Sequence, residues 1–252
     1  GTGLTKSTGN IGIGDSSPEA KLKVNGTVLA TAFNGDGSQL DSLPSGVMAI
    51  DDLSDAKAGT TAADPLYIGE GAGNSDSSTS STAAVGIGFQ SLYSSGAGDI
   101  YNVGIGYQSL YTNNGDQNTA VGYQTLFDNT TGKWNVALGD RTLTNNTIGQ
   151  QNTALGSLAL ASNTNGNYNV ATGQQALYLN TLGTNNVATG NAVMYNNSTG
   201  IGNVATGSRA LYANTSGDYN VASGYDSMLF NTIGERNVAT GTYSLYTNKT
   251  GN

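Results

Sequence analysis

Cysteine and histidine are both absent from the 252 residues. That excludes disulfide staples, thiolate or imidazole metal ligation, cysteine nucleophiles and every mechanism routed through an imidazole. Charge is scarce too: Asp, Glu, Lys and Arg make up 10% of the chain, against roughly 25% in an ordinary globular protein. The 17 acids outnumber the 9 bases, for a net charge of −8. No basic face can be built from that supply, so nucleic acid is excluded as a partner. No apolar run reaches the roughly 18 residues of a membrane-spanning helix, so no membrane insertion is expected. Proline is rare, at 3 residues, and the 37 glycines are therefore not those of a collagen. The chain opens Gly1-Thr2-Gly3, without an initiator Met or signal peptide, and stops inside a repeat at Gly251-Asn252. It reads as a fragment, with export or anchoring signals expected outside it.

What is present is a repeat. The glycine closing each Asn-Val-Ala-Thr-Gly phrase falls at Gly106, Gly122, Gly139, Gly156, Gly173, Gly190, Gly207, Gly224 and Gly241. After one step of 16 the spacing is 17 throughout. An earlier copy, Ala84-Val85-Gly86-Ile87-Gly88, brings the number of units to ten over residues 82–252. Four residues before the glycine stands Asn: Asn102, Asn118, Asn135, Asn152, Asn169, Asn186, Asn203, Asn220 and Asn237. Four after is Leu or Met. The next position is read as an aromatic column: Tyr93, Tyr111, Phe127, Tyr178, Tyr195, Tyr212, Phe230 and Tyr246. Asn recurs seven after, and Gly ten after.

Asn-Val-Ala-Thr-Gly alternates as a strand does, with Val and Thr on one face and Ala and Gly on the other. A second extended segment is expected around Ala-Leu-Tyr. Asn-Thr-x-Gly suits a turn in which Asn and Gly accept positive φ. Seventeen residues are too few for a βαβ unit, and no helical stripe appears. The expected fold is all-β: a parallel β-solenoid whose units, too small to bury a face alone, stack on one another. Ten rungs at roughly 4.8 Å each make a rod about 48 Å long. Identical residues then form columns. Asn ladders hydrogen-bond along the stack, while charged columns would repel themselves. The apolar supply per rung is small, so a lone chain is expected to be marginal and several copies to pack about one axis.

The phrase Asn-Val-Ala-x-Gly, followed by Ala-Leu-Tyr and Asn-Thr-x-Gly, resembles the head repeats of trimeric autotransporter adhesins and the repeat regions of phage tail-fibre-like proteins. The resemblance implies a left-handed parallel β-roll in a homotrimer. Upstream, Asn10-Ile11-Gly12-Ile13-Gly14 echoes Asn102-Val103-Gly104-Ile105-Gly106, and the stretch from Ser16 to Leu40 is similar to tail-fibre segments that precede an intramolecular chaperone domain. The domain organisation read from this is a small β-rich adaptor at 1–47, a connector or loop at 48–81 and the β-roll at 82–252. Within the connector, Ile50 to Lys57 suits a helical turn or adaptor loop, and the Ser-rich run 72–82 an exposed loop.

No catalytic, metal or cofactor site is expected. Gly86-Ile87-Gly88 lacks the helix and Lys of a phosphate loop, and recurs because every rung needs it. Asp51, Asp52 and Asp55 lack the spacing of a calcium loop and read as solvated acids. The aromatic column is the candidate glycan contact, since rings offer π-faces to sugars; the simpler reading is that it covers the roll's flank or a subunit seam. Before the key glycine, Val121, Leu138 and Leu155 give way to Thr172, Thr189, Thr206, Ser223 and Thr240. Such a row suits either ordered water, as on ice-binding solenoids, or an inward or axial row whose hydroxyls bond to each other or to backbone.

The expected function is a non-catalytic, rigid, trimeric extracellular fibre that attaches to a cell-surface glycan or receptor, with weak contacts multiplied by avidity. The alternatives are a filament built end to end from these rods, an ice-binding solenoid and a fibre-borne polysaccharide depolymerase.

Overall fold

The computed structural model describes residues 65–74, 83–94 and 101–251 with their side chains, together with the backbone of strands Leu4–Ser7, Asn10–Ile13, Leu22–Val24, Ala56–Ala58 and Ser94–Ser95. The acids Asp51, Asp52 and Asp55 and most of the Ser-rich run lie outside the described residues. The chain divides into residues 1–45 and 46–252. In the first unit Leu4–Ser7 pairs antiparallel with Asn10–Ile13, which pairs parallel with Leu22–Val24.

The second unit is a parallel β-solenoid, with no helix among the described residues. Its main sheet has 12 strands. Leu66–Ile68 and then the ten strands from Val85–Ile87 to Val238–Thr240 run parallel, each on the next. Ala56–Ala58 caps the sheet antiparallel to Leu66–Ile68. The sheet thus extends into the segment read from sequence as a connector. Pairing is in register, with Val187 on Val204, Ala188 on Ala205 and Thr189 on Thr206. The alternation dictates the faces: the central Ala of each triplet is buried, while Val and Thr look outward. The inward form of the Thr row is thereby overturned.

Over Ala-Leu-Tyr a turn stands where the second strand was expected; a short extended pair follows that turn in the early rungs, where Ser94–Ser95 pairs parallel with Thr112–Asn113. After the key glycine, the second and fourth residues sit in the left-handed region, as in Arg209 (φ +54) and Leu211 (φ +54). The Arg209 N–H donates to Asn191 O of the rung before at 2.9 Å, and the Leu211 N–H to Ser227 O of the rung after, also at 2.9 Å. The bend therefore pairs axially in both directions without being a strand. A left-handed non-glycine residue costs roughly 1–2 kcal/mol. Full burial of a Leu offsets that with about 1.5–3 kcal/mol, and the backbone groups stay satisfied. Leu92, Leu110, Leu126, Leu143, Leu160, Leu177, Met194, Leu211 and Met228 are all fully buried. Leu245, with no described rung above it, is 46% exposed, so burial of this column comes from the neighbouring rung.

The rest of the interior is polar. Asn203 Nδ2 donates to Gly217 O at 2.8 Å and to Asn186 Oδ1 at 3.2 Å; its own Oδ1 accepts from the N–H of Asn220 at 2.9 Å and from Asn220 Nδ2 at 3.1 Å. All four hydrogen-bonding positions of the amide are used. The asparagines from Asn135 to Asn220 repeat this chemistry fully buried, Asn118 Nδ2 reaches Asn113 Oδ1 at 3.4 Å instead of Asn102, and Asn237 ends the ladder half-buried. The Asn seven residues after the key glycine forms a second buried ladder, for example Asn214 Nδ2 to Asn197 Oδ1 at 2.7 Å. The two ladders meet: Gly200 O accepts from Asn186 Nδ2 at 2.8 Å and from Asn197 Nδ2 at 3.1 Å. This corrects the turn reading. Asn197 does not have positive φ, and Gly200 is needed for space, since a Cβ there would stand 2.6 Å from Gly217 O and against Asn197 Oδ1.

A single chain thus fills its own interior, half with apolar columns and half with amides. A thin apolar core alone no longer requires a partner.

Two outcomes follow. Gly207→Ala would force its Cβ to 2.6 Å from Gly224 O at φ +122, whereas Gly241→Ala at φ +114 meets nothing within 4 Å. The second change is expected to cost the backbone strain alone, about 1–3 kcal/mol, and the first clearly more. Urea unfolding checks this, and equal losses would show that the close axial approach carries no energy. Asn186→Ala strands the buried Asn203 N–H, about 1–3 kcal/mol for that group alone. Asn186→Asp turns an acceptor onto Gly200 O. Its burial raises the folded pKa above the unfolded value of about 3.9. The folded state then holds the extra proton, so the Asp variant is most stable below that pH and loses stability as pH rises through the folded pKa. Melting temperature against pH checks the sign.

Candidate functional site

With the interior committed to stacking, the candidate contacts among the described residues are the outward columns. Five residues after the key glycine, rings stack face to face in two runs. Tyr93–Tyr111 and Tyr111–Phe127 have centroids 5.0 and 4.8 Å apart with planes within 4°. Tyr178–Tyr195 and Tyr195–Tyr212 lie 5.0 and 5.2 Å apart. Thr144 and Ala161 interrupt the column between the runs. Phe230 is not a member: Leu229 holds the column position, buried, and Phe230, one residue on, meets Tyr246 edge-on at 5.1 Å. The stacked rings are half-buried and their faces are spent on one another, which leaves edges for any sugar. Partial burial, and then the neighbouring phenols of Tyr178 and Tyr212, push the Tyr195 hydroxyl above the ordinary tyrosine value.

A shorter column one residue after the key glycine stacks Phe89, Tyr107 and Tyr123 at 5.2 Å. Beside it Gln124 Nε2 donates to Gln108 Oε1 at 2.9 Å, and Gln108 Nε2 to Gln90 Oε1 at 2.8 Å. Further along, Arg209 Nε donates to Asp226 Oδ1 at 2.8 Å and Nη2 to the Tyr225 hydroxyl at 3.0 Å. The Asp226 side chain is 2% exposed, so this pair, one rung apart, is a structural brace rather than a reactive acid. Among the described residues no three acidic side chains converge on a metal position.

The sheet's outer face carries in-register columns. Its columns are Val85, Val103, Thr119, Val136 and onward, beside Ile87, Ile105, Val121, Leu138 and Leu155, which pass into Thr and Ser from Thr172. Val136 is 39% and Leu138 49% exposed. The first half of this face is therefore a mainly apolar strip, exposed at Val136 and Leu138 and half-buried at the other positions, and the second half a Val/Thr strip.

One aromatic column was missed by sequence reasoning. Five residues before the key glycine stand Tyr101, Trp134, Tyr168 and Tyr219, exposed by 58%, 47%, 55% and 55%. Gln117, Gln151, Asn185 and Gly202 hold the rungs between them. No two of these four rings stack on each other. The alternation hid the column, because only identity at every unit was being read. Aligning the units at that position would have exposed it.

No family model, no curated protein and no solved structure matches the chain.

The raised Tyr195 value sets a pH expectation. Its hydroxyl stays protonated in the folded chain after a free phenol, near pKa 10, has ionised. The ladder's contribution is intact below about pH 10 and falls as pH climbs through the raised folded value. Ultraviolet titration of phenolate should show late-titrating tyrosine that Tyr195→Phe removes; an unchanged curve would count against ring-to-ring coupling.

Proposed function

We propose that the chain is a rigid, non-catalytic segment of a homotrimeric extracellular fibre that attaches its owner to a surface. In this reading the solenoid is a left-handed β-roll and residues 1–47 are the adaptor that leads it. The observation that carries the reading is the apolar outward strip from Val85 and Ile87 to Leu155, in register over successive rungs and exposed at Val136 and Leu138. An outward apolar strip of this kind, only half covered by its own chain, suits an interaction surface. Three such strips meeting about an axis bury what one chain leaves open, and cyclic symmetry closes the assembly without leaving a free face. A stack of identical rungs, each tied by backbone and amide bonds to the next, resists local unfolding, as a spacer must. Many parallel copies then make weak surface contacts effective.

Sedimentation is expected to give a particle of three times 25.6 kDa. The double variant Ile105→Lys/Leu138→Lys places ammonium groups on the strip and should release single chains with an unchanged far-ultraviolet spectrum. Labelled trimers should also coat intact cells more strongly than the released chains. A wild-type chain that sediments alone at tens of micromolar overturns the trimer, and a variant that stays trimeric moves the seam elsewhere.

A further inference from the structure

We infer that Tyr101, Trp134 and Tyr168 form a platform for one extended β-1,4-linked glycan chain lying parallel to the solenoid axis. This names the ligand class for the attachment reading above and rests on that reading for its role, although the platform itself lies within a single chain.

Spacing is the first argument. The three rings occupy every second rung, so neighbours stand about 9.6 Å apart along the axis, two steps of roughly 4.8 Å. In an extended β-1,4-linked chain each sugar is turned over relative to the last, so the same face recurs at every second residue. That disaccharide advance is close to two rungs. Axial hydrogen bonding holds the ring spacing fixed, so little ordering is left for the ligand to drive. Tyr219 falls out of step, three rungs beyond Tyr168, and the Arg236 guanidinium lies over its ring at 5.8 Å.

Exposure and backbone geometry are the second. Each of the three rings is about half exposed or more. None of the three stacks on another ring, unlike the Tyr178–Tyr195–Tyr212 column. Each also sits in the left-handed region, at φ +60, +58 and +59, where bulky side chains are unfavourable. Gly202 and Asn185 fill the same position in other rungs, so the backbone does not ask for a ring. The left-handed bend recurs here in every described rung, as at Gln117 and Gln151, so the strain belongs to the fold; an exposed ring where Gly or Asn is the easier choice points to use of that ring.

Polar chemistry between the rings is the third. Gln117 and Gln151 stand on the intervening rungs. Trp134 Nε1 donates to Gln117 Oε1, which leaves the Gln117 amide nitrogen to donate to a sugar hydroxyl. Flat apolar faces alternating with amides suit a pyranose chain, whose rings present C–H faces and whose edges carry hydroxyls.

Trp134 is the only tryptophan of the chain, so intrinsic fluorescence reads the centre of the platform directly. Full-length protein titrated with cellohexaose and with chitohexaose should show a saturable blue shift with at least one of them. Maltohexaose, whose α-linkages curve the chain, should give none. The double variant Tyr101→Ala/Tyr168→Ala keeps the reporter and should weaken binding about tenfold or more. Tyr195→Ala, in the stacked column, should leave it unchanged. Circular dichroism confirms that each variant is folded. No saturable shift with either β-linked hexaose, an equal response to maltohexaose, or undiminished binding by the double variant overturns the platform. A trimeric rod that ignores both hexaoses loses the platform and keeps the fibre, whereas a lone chain that binds them keeps the platform and loses the trimer.

Discussion

From Gly115 to Gly234 each glycine carbonyl at the inner turn accepts two amide hydrogen bonds, one from each asparagine ladder, and the register of the solenoid depends on that meeting point. Gly200 O, held by Asn186 and Asn197, is one instance. A rung that slipped by one residue would remove both donors at once and leave buried amides unpaired, each at about 1–3 kcal/mol. An apolar column tolerates such a slip far better, because Leu on Ala packs nearly as well as Leu on Leu. The amides therefore supply the specificity and the Leu/Met column the bulk of the burial. Every position that must approach this junction closely is glycine, and every column that repeats axially is uncharged, which accounts for the chain's low charge.

The same axial pairing explains why the chain accepts so many left-handed residues. In most folds a Leu with φ near +50 would be an outlier. Here the conformation at Leu211 aims its N–H at the rung after, that of Arg209 aims its N–H at the rung before, and the Leu side chain points inward. Strain is repeated once per rung, and so is the compensation. The stability of such a chain is best regarded as a sum over rungs and their interfaces rather than as one cooperative core.

Period, face assignment and the asparagine column were legible in the sequence because each rests on identity repeated in every unit. Val187 and Thr189 outward with Ala188 inward follows from alternation alone. The turn after the key glycine was not legible: Ala-Leu-Tyr has good strand composition, and only the axial hydrogen bonds of the folded stack make the left-handed bend affordable. Gly200 was legible as a turn glycine for the wrong reason, since what excludes a side chain there is Asn197 and the next rung rather than φ. Phe230 was misplaced by one residue because a ring was expected where Leu229 stands. The row Tyr101, Trp134, Tyr168 escaped notice because a two-rung period is invisible to a search for invariant columns.

That last failure says where information about function resides in a solenoid. Inward columns are bound to one identity by the rungs above and below, so they report the fold and nothing else. Outward columns bear no such constraint. Where they nevertheless change in an ordered way along the axis, something other than stacking has arranged them. The passage from Ile105 and Leu138 to Thr189 and Thr206 on the sheet face is one such change, and aromatic residues on alternate rungs at a strained position are another. Both are written on a scaffold whose interior would close equally well without them, since Gly202 shows that the rung can do without the ring.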